Sequence, residues 1–162
     1  MQSFSLEGKV ALVTGSSKGI GAAIAQIFAE ARAKVVISSR TQEQLDDLAA
    51  EFAKKGLTVY PIAANVGNPE DNERLIAQAT AQLGTIDILV NNAATNPYFG
   101  PLEKTEDRAF EKIMAVNLKG PFDLAKMVLP GMAAKKSGSI INISSVEGIS
   151  PDTYLGMYGV SK

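Results

Sequence analysis

The 162-residue sequence has no cysteine, no histidine and no tryptophan. Disulfides, zinc sites built on thiolate or imidazole, cysteine nucleophiles and every histidine-dependent triad are thereby excluded. Chemistry has to come from Tyr, Lys, Ser, Asp, Glu or a bound cofactor, and no metal site is expected. Charge of one sign is also missing, with 16 Lys+Arg against 17 Asp+Glu. There is no basic field for a nucleic-acid backbone and no polybasic stretch for an anionic membrane surface. Apolar runs such as Val10–Val13 fall far short of the roughly 18 residues that a membrane span requires. Met1–Glu7 shows neither a charged n-region nor an apolar h-region, so the expected location is cytoplasmic, which the absence of cysteine fits. What is present is a 46% hydrophobic chain, long enough to bury roughly 68–70% of its unfolded surface as one domain over residues 1–162.

Apolar runs alternate with helical patterns from end to end. Strands are predicted at Lys9–Thr14, Lys34–Ser38, Leu57–Ala63, Ile86–Val90 and Ile140–Ile143. Between them, Ile20, Ile24, Ile27 and Phe28 form one helical stripe. Thr41 and Gln44 suggest a capping box for a second helix that ends at Gly56. Asn68 and Pro69 open a third helix, closed by Gly84. A long helix from about Glu106 to Ala134 takes Thr105 as its cap. Strict alternation implies parallel strands with right-handed crossovers, hence an α/β doubly wound sheet, the Rossmann fold, in the order 3-2-1-4-5. Pro61 cannot donate to a ladder, so the third strand belongs at an edge, where that order puts it.

Directly between the first strand and the first helix lies Thr14-Gly15-Ser16-Ser17-Lys18-Gly19-Ile20-Gly21. Gly15 lets the chain turn, Gly19 lets backbone approach a pyrophosphate, and Gly21 lets the helix pack closely, while the helix N-terminus offers N–H donors. A glycine-rich turn without a ligand is the plainer alternative. The second strand ends Ser38-Ser39-Arg40, with no carboxylate to bond a ribose 2′-hydroxyl. Arg40 and Lys18 supply cations suited to a 2′-phosphate, which favours NADP(H) over NAD(H). The competing reading makes both residues solvated surface charges.

With Asn91-Asn92-Ala93, Asn117, Ser145 and Tyr158-(x)3-Lys162 following that glycine loop in order, the sequence resembles the classical short-chain dehydrogenase/reductase family over its whole length. Asn96–Gly100 and Ser38-Ser39-Arg40 look most like its NADPH-dependent carbonyl reductase branch. The resemblance implies hydride transfer between NADP(H) and a carbonyl or secondary alcohol. In it Tyr158 is the general acid/base, Lys162 lowers the tyrosine pKa and holds the nicotinamide ribose, Ser145 binds the substrate oxygen, and Asn117 anchors a water. The implied cofactor set is Gly15, Ser17, Lys18, Gly19, Ile20, Gly21, Ser39, Arg40, Asn65, Val66, Asn92 and Ala93 with Tyr158 and Lys162. Implied partners are a small-molecule carbonyl or alcohol and further copies of the chain, as dimer or tetramer.

Pro121, four residues after Asn117, has no N–H to bond the Asn117 carbonyl. Either it keeps that carbonyl open for the water, or it only kinks a long helix. Asn65-Val66 replaces the Asp-Val common in the family, and Ala94 replaces a usual glycine. The chain stops at Lys162, where family chains carry further strands, so a domain truncated at the catalytic lysine is expected. Two alternative functions stand beside the main one: a catalytically silent nucleotide-binding fragment, and an NAD-dependent alcohol or sugar dehydrogenase. Selectivity is assigned to Thr95–Phe99 and Gly148–Leu155, where Ser150–Leu155 reads equally as an apolar wall or a plain surface loop.

Overall fold

Alternate residues of the central strand face opposite ways, and both faces are apolar. In the computed structural model, which describes residues 4–162, Val10 and Leu12 join a cluster with Leu75, Leu89, Leu124 and Val128. Ala11 and Val13 join a second one with Ala25, Leu45 and Phe52. A strand buried on both faces lies in a sheet covered by helices on both sides, which is why these strands read as continuous apolar runs. The assignment made for Met1–Glu7 falls partly on residues 1–3, outside the described residues.

The sheet has five parallel strands in the order β3-β2-β1-β4-β5, as the sequence pattern predicts. They are β1 (Val10–Thr14), β2 (Lys34–Ser38), β3 (Val59–Pro61), β4 (Ile88–Asn91) and β5 (Ser139–Asn142). Helices α1 (Gly19–Glu30) and α2 (Gln42–Lys54) cover one face. Helix α3 (Pro69–Leu83) and the segment α4 (Asp107–Met114), a π turn (Ala115–Lys119) and α5 (Gly120–Lys135) cover the other, and the short α6 (Gly156–Val160) follows β5. Pro61 lies on the edge strand, paired only with Ile37 of β2. β5 is the opposite edge, with Ile141 exposed. Among the described residues no helix is long and apolar enough to cross a membrane.

Three local expectations fail. Thr41 occupies the N-cap of α2 without a side-chain cap bond. Residues 40–44 are exposed, so water satisfies the first N–H groups, and Gln42 instead accepts from the Ala63 N–H at 3.0 Å. Thr105 does not cap the long helix either. It closes a 3-10 turn over Leu102–Lys104, its N–H bonded to Leu102, and Glu106 takes the N-cap. That long helix is two helices separated by the π turn, in which the Gly120 N–H reaches Ala115. By contrast Asn68 caps α3 as expected, its Oδ1 accepting from the Asp71 N–H at 2.9 Å.

Asp87 is buried directly before β4, its backbone bonded to Val10 and Ser139 and its side chain committed to two donors. Its carboxylate accepts from the Val10 N–H at 2.9 Å and from Lys135 Nζ at 3.0 Å. Burial pushes its pKa up, but these donors outweigh burial and hold it below the usual carboxylate range. The stability it supplies is therefore complete above the unfolded-state pKa and is lost as pH falls through the lower folded-state value. Asp87→Ala should cost about 1–3 kcal/mol at neutral pH, chiefly through the unpaired Val10 N–H. Urea unfolding should show the gap from wild type closing in acid.

Candidate active site

The carboxyl ends of β1, β2, β3 and β4 converge on one cleft of about 440 Å³. Gly15 and Gly19 hold positive φ, +63° and +59°, which a side chain would strain. A Cβ on Gly15 would stand 2.7 Å from Ala93 Cα, whereas one on Gly19 would meet only open space. Gly21 is where helix meets loop, since its Cβ would lie 2.5 Å from the Gly15 carbonyl and 2.6 Å from Asn92 Nδ2. Gly15 thus makes the turn and Gly21 the close packing expected from the sequence, while Gly19 leaves its side of the loop open. Asn92 donates both amide hydrogens to the loop, to the Thr14 and Gly15 carbonyls at 2.9 and 3.0 Å. Thr14 Oγ1 in turn accepts from the Asn92 and Ala93 N–H groups, each at 3.1 Å. Ser16, which sequence reasoning passed over, is buried and accepts from the Ser38 N–H at 2.8 Å, riveting β1 to β2.

Of the residues assigned to a cofactor, Gly15, Ser17, Lys18, Ser39, Arg40, Asn65, Val66, Asn92 and Ala93 line this cleft. Gly19, Ile20 and Gly21 open α1 beside it, with Ile20 exposed. Thr41, Gln44, Thr95, Lys112 and Val116 also line it and lie outside the cofactor set read from the sequence. Lys112 of α4 and Val116 of the π turn could have been found, because they lie four residues apart just before Asn117 and so share one helical face. No acidic side chain borders the cleft, and among the described residues Lys18, Arg40 and Lys112 take part in no ion pair. Ser39 Oγ is buried there with no hydrogen-bond partner. A phosphorylated dinucleotide fits this donor set: open backbone at Gly19, three cations, and a hydroxyl lacking a partner. Asn65 Oδ1 takes the Gly67 N–H at 3.2 Å and keeps a second lone pair for a base.

Gly21→Val tests the loop. Its Cβ meets backbone, so α1 must shift, at about 1–3 kcal/mol for overpacking, with dinucleotide affinity lost as well. Gly19→Ala touches nothing and should cost only the left-handed strain of about 1–2 kcal/mol. Thermal melts and dinucleotide titrations of the pair separate clash from strain.

A second cleft, sharing Ala93 with the first, is lined by Asn91, Asn117, Ile143, Ser144, Ser161 and Lys162 among others. Asn117 is buried in the π turn, four residues before Pro121, whose missing N–H cannot donate to the Asn117 carbonyl. The side chain works in two directions. Oδ1 accepts from the Thr95 N–H at 2.8 Å, while Nδ2 donates to the Thr95 carbonyl at 3.0 Å and to Ser161 Oγ at 2.9 Å. Ser161 then donates to the Tyr158 carbonyl at 2.7 Å. Lys162 Nζ donates to the Ile143 carbonyl and lies 5.8 Å from the Tyr158 ring centroid. Burial pulls its pKa below that of an ordinary lysine. Ser145 starts a 3-10 turn, Val146–Gly148, its Oγ accepting from the Glu147 N–H at 3.2 Å. That turn presses on α6, since a Cβ on Gly159 would stand 2.6 Å from the Glu147 carbonyl. The structure thus gathers Asn117, Tyr158 and Lys162 around Ser161 and seats Ser145 on the adjoining turn. Among the described residues, no hydrogen bond joins Ser145 Oγ, the Tyr158 hydroxyl and Lys162 Nζ.

A family model described as short chain dehydrogenase matches residues 9–162. The chain belongs to the short-chain dehydrogenase family. Among curated relatives, dehydrogenase/reductase SDR family member 4 of Bos taurus is 45% identical over 157 residues, 97% of this chain and 56% of the relative. Dehydrogenase/reductase SDR family member 2, mitochondrial, of Homo sapiens is 42% identical, with the same coverage of 97% and 56%. This short-chain dehydrogenase therefore spans little more than half the length of these relatives. Two solved structures share its fold. A gluconate 5-dehydrogenase from Burkholderia cenocepacia J2315, in complex with NADP and tartrate, superposes with TM-score 0.90 at 36% identity, covering 98% of this chain and 62% of that one. L-Sorbose reductase from Gluconobacter frateurii, complexed with NADPH and L-sorbose, gives 0.92 at 33% identity, covering 98% and 60%.

Proposed function

We propose that this chain is the dinucleotide-binding and catalytic part of an NADP(H)-dependent oxidoreductase that interconverts a carbonyl and a secondary alcohol. The observation that carries this reading is the cleft at the glycine loop, free of acids, with Lys18 on the loop and Arg40 and the partnerless Ser39 hydroxyl at the end of β2. The presence of NADP or NADPH in the similar solved structures supports the same choice.

The reduced nicotinamide, when bound, supplies the hydride. The Tyr158 hydroxyl gives its proton to the substrate oxygen as negative charge develops there, and takes it back in the oxidative direction. Ser145 Oγ donates a hydrogen bond to the same oxygen. Its present acceptance of the Glu147 N–H leaves the hydroxyl hydrogen free for this. Lys162 places its ammonium beside the Tyr158 ring, 5.8 Å from the centroid. Asn117 keeps α6 in register through Ser161, while its backbone carbonyl, opposite Pro121, is the acceptor for a relay water.

The test uses the full-length protein. NADPH should quench or shift fluorescence on titration and bind tighter than NADH, and a carbonyl substrate should consume its absorbance. A protein that binds neither dinucleotide would overturn the reading.

A further inference from the structure

The turn between β3 and α3 is anchored at three successive peptide units. Asp71 Oδ2, from the first turn of α3, accepts the Asn65 N–H at 2.8 Å. The Asn68 N–H donates to the Asn65 carbonyl at 2.8 Å. Asn72, wholly buried, donates from Nδ2 to the Val66 carbonyl at 2.9 Å. The π turn and α5 close on the same residues from the other side. A Cβ on Gly67 would stand 2.9 Å from Val116 Cγ2, and one on Gly120 would overlap the Val66 oxygen.

Two polar groups of this turn are left unspent, and they lie side by side. Among the described residues the Val66 N–H has no acceptor, and Asn65 Oδ1, having taken the Gly67 N–H, keeps one lone pair. Asn65 and Val66 both border the cleft. In a trans peptide the C=O and N–H point opposite ways, so anchoring the Asn65 carbonyl on Asn68 directs the Val66 N–H away from α3. An acceptor beside a donor matches the edge of adenine, whose 6-amino group donates and whose N1 accepts. Hypoxanthine reverses both, with a 6-oxo oxygen and a protonated N1, and would set acceptor against acceptor and donor against donor.

Asp71 and Asn72 do not line the cleft themselves. The Asn65 N–H first, and Arg74 next, hold the Asp71 carboxyl below the usual carboxylate range, so it is an ionised acceptor at neutral pH. We propose that Asp71 and Asn72 are positioning residues for base recognition, holding the Asn65–Val66 edge in the orientation that takes a 6-aminopurine and refuses a 6-oxopurine. The proposal rests on the NADP(H) reading and adds to it the residues that set how the base end of the dinucleotide is chosen.

The experiment titrates the full-length protein calorimetrically with NADPH, NADH and the reduced hypoxanthine analogue of NADPH. Wild type should bind NADPH about tenfold or more tighter than the hypoxanthine analogue. Asp71→Ala should weaken NADPH and NADH alike, by about tenfold, and leave the analogue within about threefold, so that discrimination between the bases collapses. Asp71→Asn keeps an oxygen for the Asn65 N–H and should restore it. Asn72→Ala should show the same selective loss. If that variant does not fold, because the Val66 carbonyl is left bare, the half-exposed Asp71 still supplies the test, with thermal melts as the check on folding. A wild type that binds both bases equally would overturn the proposal, as would folded variants that keep the wild-type ratio or weaken both bases alike. The NADP(H) reading would survive each of these results. A protein that binds none of the three dinucleotides would remove that reading and the positioning role with it.

Discussion

Tyr158→Phe should lower kcat by about 10²–10⁴-fold, the usual worth of a positioned proton donor, while NADPH affinity changes little. The substitution removes one hydroxyl and keeps the ring that Lys162 Nζ overlies at 5.8 Å, so the packing of α6 and the cation's seat on it survive. Because the missing interaction is made in the transition state, kcat and kcat/KM should fall together. Steady-state kinetics with matched NADPH titrations check this, and a variant retaining wild-type turnover would exclude Tyr158 as the acid. Lys162→Met should also cut turnover, but with a different pH signature. Burial already lowers the pKa of Lys162, so the wild-type rate should decline on the alkaline side earlier than an exposed lysine would dictate. That limb should vanish in the methionine variant.

The sheet was legible because burial on both faces leaves a simple trace: VALVT in β1 and KVVIS in β2 need no periodicity to be recognised. Asn68-Pro69 was equally readable as a helix start. Thr41 and Thr105 carry the same kind of signal and do not cap, because an exposed helix start has water as an alternative partner and a preceding 3-10 turn claims Thr105. The π turn left only an indirect mark. Inserting one residue shifts the face of everything after it, yet the apolar pattern tolerates the shift, and only Pro121 showed that the backbone bonding around Asn117 is broken. At the site, contiguous motifs such as the glycine loop could be assigned from sequence. Ser161 could not, since it acquires its place through tertiary contact: Thr95 and Ser161 are brought together by the two ends of one Asn117 amide. Asn92 shows the converse, a motif residue whose two amide hydrogens are both used in bracing the loop.

Replacing Arg40 with alanine should weaken NADPH binding about 10–100-fold, from loss of a charge-assisted contact worth about 1.5–3 kcal/mol, and should leave NADH binding within about threefold by the same arithmetic. Arg40 and Lys18 border the same cleft with Ser39 and Thr41, and no acidic residue lines it. The dianionic 2′-phosphate is the one feature of NADPH that NADH lacks, so the ratio of the two dissociation constants isolates this wall from the glycine loop, which both cofactors share. Lys18→Ala should act in the same direction, and the double variant should bring the two cofactors close to parity. Arg40→Asp goes further, because a carboxylate there repels the phosphate and can accept from a ribose 2′-hydroxyl, which inverts the preference. Salt supplies an independent check: raising ionic strength should weaken NADPH more than NADH in wild type and much less so in the double variant. Equal weakening of both cofactors by Arg40→Ala would return Arg40 to the status of a solvated surface charge and remove the main reason for choosing NADP(H) over NAD(H).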